Sequence, residues 1–144
     1  MTAMTHSSPT HPAPRFPYRH HHPVTTAMLV VLFWILGAML IEAAHVEIEP
    51  RSPRAAAVAT IAAVLITAFA YTRLVAREAG MTHALGIGIA WLVLCITTEI
   101  VFATHAGHGW FMLLGSPDRP LVRNLLLFAW IFSPALFAAR AESS

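Results

Sequence analysis

Four uninterrupted apolar stretches, at about 24–44, 55–75, 83–104 and 121–139, leave this chain few ways to fold. Each matches the roughly 20 residues a helix needs to cross the hydrocarbon of a bilayer. Inside lipid every backbone N–H and C=O must be satisfied by the protein, and a helix alone does this within one segment. Breakers separate the stretches. His45 to Arg54 carries Pro50 and Pro53, Arg73 to Thr82 carries Gly80 as an expected helix stop, and His105 to Pro120 forms the longest connection. Pro120 suits the first turn of the last helix, where its missing N–H costs nothing.

The expected fold is therefore all-α: a four-transmembrane-helix bundle over residues 24–144, behind a disordered tail at 1–23. The tail holds five of the ten prolines and five of the nine histidines, with almost no apolar periodicity. A cleaved signal peptide is disfavoured, because the apolar run is long and Glu42 stands where a small residue should precede a cut after Ala44. The first helix is expected to stay as an anchor.

Composition narrows the function classes. Only 11% of residues are charged, against about a quarter in a soluble domain. The basic residues are nine arginines scattered in ones and twos, so no nucleic-acid stripe exists and no nucleic-acid partner is expected. Arg15, Arg19, Arg73, Arg77 and Arg140 fall on one side of the membrane and Arg51, Arg54, Arg119 and Arg123 on the other. With Glu47, Glu49 and Asp118 on the second side, both termini are expected to be cytoplasmic. Cys95 is the lone cysteine and reads as a packing residue. There is no G-x-S-x-G, H-E-x-x-H, P-loop or Cys–His pattern, so a non-enzymatic protein without a cofactor is expected. Haem ligation is disfavoured because His45, His83 and His105 reach only span edges.

Small residues point to helix packing. Ala55, Ala59 and Ala63 recur every four residues on the second helix, and Gly86 and Ala90 do so on the third, with Gly88 between them. Such stripes let backbones approach closely, within the chain, in a homo-oligomer or against a partner membrane protein. Pro134 is expected to kink the last helix, with Ser133 satisfying a freed carbonyl.

The chemistry concentrates in two acids. Trp34 precedes Glu42 by eight residues, and Trp91 precedes Glu99 in the same way. Each pair sits on an odd-numbered helix followed by a loop and an arginine, Arg54 or Arg123, which suggests two copies of one hairpin in parallel orientation. Glu42 is two residues from the end of its span, whereas Glu99 has Ile100, Val101, Phe102 and Ala103 still to come. A carboxylate at mid-membrane costs about 3 kcal/mol to insert, less near the rim, so Glu99 needs a partner or water. Glu42, His45, Arg54, Glu99, His105, His108 and Arg123 are the candidate intramembrane polar cluster. In one role Glu99 pairs with Arg123 or Arg54 and ties the hairpins together. In the other, Glu99 and the histidines carry protons or an ion.

Two further features belong to this rim. Glu42 and His45 form one ExxH pair, a weak metal candidate, since a carboxylate-bridged bundle needs a second ExxH and Phe102 follows Glu99 instead. His20, His21 and His22 could capture metal adventitiously. Trp110 to Leu114 is apolar but too short to span. It reads most simply as a loop on the headgroups, or otherwise as a shallow re-entrant turn capping the space above Glu99.

Trp91 with Glu99 closing the third helix, Arg73 and Arg77 before it, Trp110 after it and the late Pro134 make the layout resemble a loose group of small four-helix bacterial inner-membrane proteins. The resemblance covers about 34–140 and implies a multi-pass inner-membrane location without implying an activity. Small multidrug exporters are similar in size, but their acid lies well inside the first helix, whereas Glu42 is at its exit. The resulting expectation is an accessory or partner-binding membrane protein, with a minimal proton- or ion-coupled transporter as the alternative.

Overall fold

The computed structural model describes residues 23–77, 80–105, 113–115 and 118–138. The tail, His20 to His22, His108 and Trp110 lie outside the described residues. Four helices follow in order: α1 Pro23–Glu47, α2 Pro53–Leu74, α3 Met81–His105 and α4 Pro120–Phe137. Each is long and apolar enough to cross a membrane, and each falls within a few residues of its expected stretch.

Local chemistry sets the ends. Ser52 caps α2, its Oγ accepting from the Ala55 N–H at 3.3 Å, and Pro53 takes the first position. The α2 helix stops at Leu74 rather than at Gly80. Gly80 instead opens α3, its carbonyl accepting from the Ala84 N–H at 3.1 Å.

The helices form a ring: α1 lies on α2, α2 on α4, α4 on α3, and a lighter contact closes α3 to α1. Parallel helices are thus neighbours. Two indoles fix the α1–α3 register. Trp91 Nε1 donates to the Val30 carbonyl at 2.9 Å, and Trp34 Nε1 donates to Cys95 Sγ at 3.2 Å. Both contacts span the same 61 residues, so α1 and α3 run side by side in one register. Two equivalent hairpins related by an axis along the membrane normal would instead send Trp91 to Ala38, just as Trp34 reaches Cys95. The hairpins lie parallel, but their tryptophans are not equivalent: Trp91 is fully buried and Trp34 only partly.

Each helix sends one ring to the centre. Phe33, Tyr71, Trp91 and Trp130 make a chain of edge-to-face contacts with centroids 5.5, 5.6 and 5.9 Å apart. This stack fills the bundle where small residues let the backbones close in. The expected stripe on α2 needs correction. Ala55 is exposed, Ala59 is half-buried and only Ala63 is buried. The buried face runs through Ala56, Thr60, Ala63 and Thr67, one residue around the helix. Thr60 and Thr67 can face the core because their hydroxyls donate to their own helix, at Ala56 and Ala63 carbonyls, 2.9 and 2.8 Å away. The choice between the two faces depended on where the neighbouring helices lie, and alanines occur on both.

The α3 stripe is corrected in the same way. Gly86 is exposed and Ala90 half-buried, whereas Gly88 is buried against α4. A Cβ on Gly88 would collide with the backbone carbonyl of Ile131, so this is where two backbones touch. On α4, the helix continues through buried Pro134 to Phe137. Ser133 Oγ is buried and makes no hydrogen bond among the described residues, so it does not satisfy a carbonyl freed by Pro134. At the far rim Arg73 lies over the Phe69 ring, 5.3 Å from its centroid, and Phe69 meets Phe137 edge-on.

The Tyr71 hydroxyl is also buried without a hydrogen-bond partner among the described residues. Tyr71→Phe keeps the ring stack and removes an unsatisfied group worth about 1 kcal/mol or more. Its thermal midpoint in detergent should equal or exceed that of the wild type; a lower one would mean that the hydroxyl is bonded, for instance to water.

Candidate functional site: the loop rim around Glu99

The α1–α2 and α3–α4 connections share one rim of the bundle, and the candidate cluster divides there into separate groups. The α1–α3 register sets Glu99 level with Ala38, a turn below Glu42, which is about 6 Å. Glu99 is half-buried. Its Oε1 accepts from the Leu114 backbone N–H at 2.8 Å. Leu114 and its neighbour Leu113 are 2% and 0% exposed and belong to the core. Residues 113–115 therefore dip into the bundle, and the headgroup-lying placement expected for this stretch is corrected for Leu113 and Leu114.

Irregular backbone at this depth needs partners for its polar groups. Here two side chains supply them. Glu99 takes the Leu114 N–H, and Trp130 Nε1 donates to the Leu113 carbonyl at 3.3 Å. Gly115 ends the dip in the left-handed region, with φ +84°, and its Cα faces the Leu126 side chain. The acid near the end of α3 thus receives a backbone donor from the connection that follows it.

The arginines expected as its partners behave differently. Arg123 is half-buried on the adjacent α4, yet no ion pair joins it to Glu99 among the described residues. Arg54 is exposed and lies in a separate groove with Arg51 and Arg119. A tie made by direct Glu99–arginine pairing is therefore corrected: the tie runs through a backbone amide.

The histidines also turn elsewhere. His105 is exposed and its Nδ1 sits 3.0 Å from its own helix's Val101 carbonyl and 3.1 Å from Thr104 Oγ1. His45 Nδ1 lies 2.6 Å from Glu49 Oε2, one helical turn on. Glu42 makes no hydrogen bond among the described residues, and the His45 ring is engaged by Glu49. His45 and Glu49 instead line a cavity of about 50 Å³ with Thr60, Gly115 and Arg119. That volume holds a water or two. Groups of three or more His, Cys, Asp or Glu suited to a metal ion are not found among the described residues.

Sequence reasoning missed the Leu114 amide, because a backbone donor carries no residue signature. The available signal was an apolar pair, Leu113–Leu114, followed at once by Gly115 and facing a deep acid.

These features define the class: a small multi-pass α-helical membrane protein in which residues 113–115 turn into the bundle and the Leu114 amide meets Glu99. No protein-family model matches the chain, and neither a curated protein nor a solved structure does.

Proposed function

We propose that this chain is an accessory or partner-binding protein of the bacterial inner membrane, with Glu99 as the anchor of its re-entrant turn. The hydrogen bond from Leu114 to Glu99 carries this reading. A carboxylate engaged with a backbone amide, beneath Leu113 and Leu114 and beside a packed aromatic stack, does structural work. Gly86 supports a partner-binding role in a second way. Internal packing leaves Gly86 on the outside, with open space where a side chain would be, and a second chain could approach there closely. The arginine and acid distribution supports a cytoplasmic side for both termini.

The alternative, proton- or ion-coupled transport by Glu99, separates from this reading in two substitutions. Glu99→Gln keeps an acceptor for the Leu114 N–H and exchanges a charged hydrogen bond for a neutral one, a loss of about 1 kcal/mol. Glu99→Leu strands a buried donor and should cost about 2–3 kcal/mol. An anchor therefore gives a graded loss of thermal midpoint in detergent, Leu worse than Gln, with co-purifying partners lost in the same order. A carrier gives equal and complete loss of pH-driven uptake in proteoliposomes from both variants, and that outcome would overturn the anchor.

A further inference from the structure

The parallel helices α2 and α4 pack side by side and both begin at the loop rim. Between their first turns runs an open groove of about 540 Å³ lined by Arg51, Ser52, Pro53, Arg54, Arg119 and Val122. Three guanidinium groups thus share one groove. None of them has an ion pair among the described residues, where the one pair found is His45–Glu49. Glu49 is held by His45 and lines the neighbouring cavity, and Glu47 is exposed on the last residue of α1.

The helix starts add to the same field. Neither α2 nor α4 has an acid in its first turn, and α4 begins at Arg119 with no side-chain cap. Two positive helix ends, that of α2 capped by the neutral Ser52, therefore lie beside three cationic side chains. Like charges gathered in this way repel one another unless an anion lies among them. Arginine presents a planar fork that fits two oxygens of a phosphate at once. The height of the groove, at the ends of membrane-crossing helices, is also the height of lipid phosphates.

We infer that Arg51, Arg54 and Arg119 form a binding site for a phosphate-bearing anion at the loop rim. The phosphate can come from an anionic lipid headgroup or from solution, and the two sources share the chemistry of recognition. Arg119 borders both the groove and the small cavity behind it. A phosphate seated here would bridge α2 to α4 from above, next to Gly115 and the re-entrant turn.

Purified full-length protein in neutral detergent tests this, with native mass spectrometry after addition of phosphatidylglycerol or phosphatidylcholine, and calorimetric titration with inorganic phosphate. The wild type should retain one phosphatidylglycerol in preference to phosphatidylcholine, or bind phosphate with saturation. Retention by lipid alone assigns the headgroup, and saturation by phosphate alone assigns a soluble anion. Arg51→Gln/Arg54→Gln/Arg119→Gln should lower binding by about tenfold or more, while Arg77→Gln at the opposite rim leaves it unchanged. If the triple variant does not fold, Arg54→Gln and Arg119→Gln are measured singly and each should weaken binding. Equal binding by folded variants and wild type, or no binding of either probe, would overturn the site.

Discussion

Gly88→Ala should destabilise the detergent-solubilised protein by about 3 kcal/mol or prevent its folding, whereas Gly86→Ala should be nearly silent. Overpacking is tolerated when the atom in the way belongs to a flexible side chain. Here the added Cβ meets the backbone carbonyl of Ile131, which is held in α4. Relief requires α3 and α4 to separate, and separation loses dispersion contacts all along the seam. In lipid that loss is felt directly, because the apolar environment offers no hydrophobic compensation for keeping helices together. At Gly86 a Cβ meets nothing within 4 Å, and its small change in helix propensity is the only expected effect. Thermal or denaturant unfolding in detergent measures both. Equal effects at the two glycines would mean that α3 and α4 do not touch at Gly88.

Trp91→Ala should cost about 3–5 kcal/mol, comparable to other large-to-small core changes. The indole is completely buried, meets Tyr71 and Trp130 edge-on, and donates to the α1 backbone. Its removal leaves a cavity at the point where α2, α3 and α4 converge and cuts a hydrogen bond to α1. Trp91→Phe retains much of the volume and should lose about 1–2 kcal/mol, from the missing N–H and imperfect fit. Trp34 provides the contrast. It is only partly buried and donates to sulfur, a weak acceptor, so Trp34→Phe should cost less than about 1 kcal/mol. If the two tryptophans were equivalents in a repeated hairpin, the two Phe variants would lose the same amount. A ranking with Trp34 equal to or above Trp91 would contradict the observed register.

These two results bear on the site as well as on the fold. Trp130, which stacks on Trp91, is the residue that holds the Leu113 carbonyl, while Glu99 one helix away holds the Leu114 amide. The re-entrant turn is thus fastened to the aromatic core from one side and to the acid from the other. Weakening the core at Trp91 should loosen the turn, and Glu99→Leu combined with Trp91→Phe should lose more than the two single variants together explain.

Four spans and their approximate limits were legible from the apolar run lengths and the intervening prolines, because the bilayer imposes both on any chain. Glu99 stood out for the same reason: an acid at that depth needs a partner wherever the helices lie. Which partner it takes was not legible. Arginines and histidines announce themselves by residue type, whereas the Leu114 amide is one backbone donor among many, selected by how the connection folds back. Likewise, alanines and glycines on both sides of α2 and α3 left two possible packing faces, and burial of Ala56, Thr60 and Gly88 shows which was used.

By itself the sequence determined that this protein is a bundle of four membrane-crossing helices with a deep acid near one rim, since helix length and hydrocarbon thickness are local constraints. The tertiary structure alone decided the ring order, the face each helix buries, the amide that Glu99 holds and the meeting of three arginines in one groove. Those outcomes depend on distances between residues far apart in the chain, and no local pattern encodes a distance of that kind.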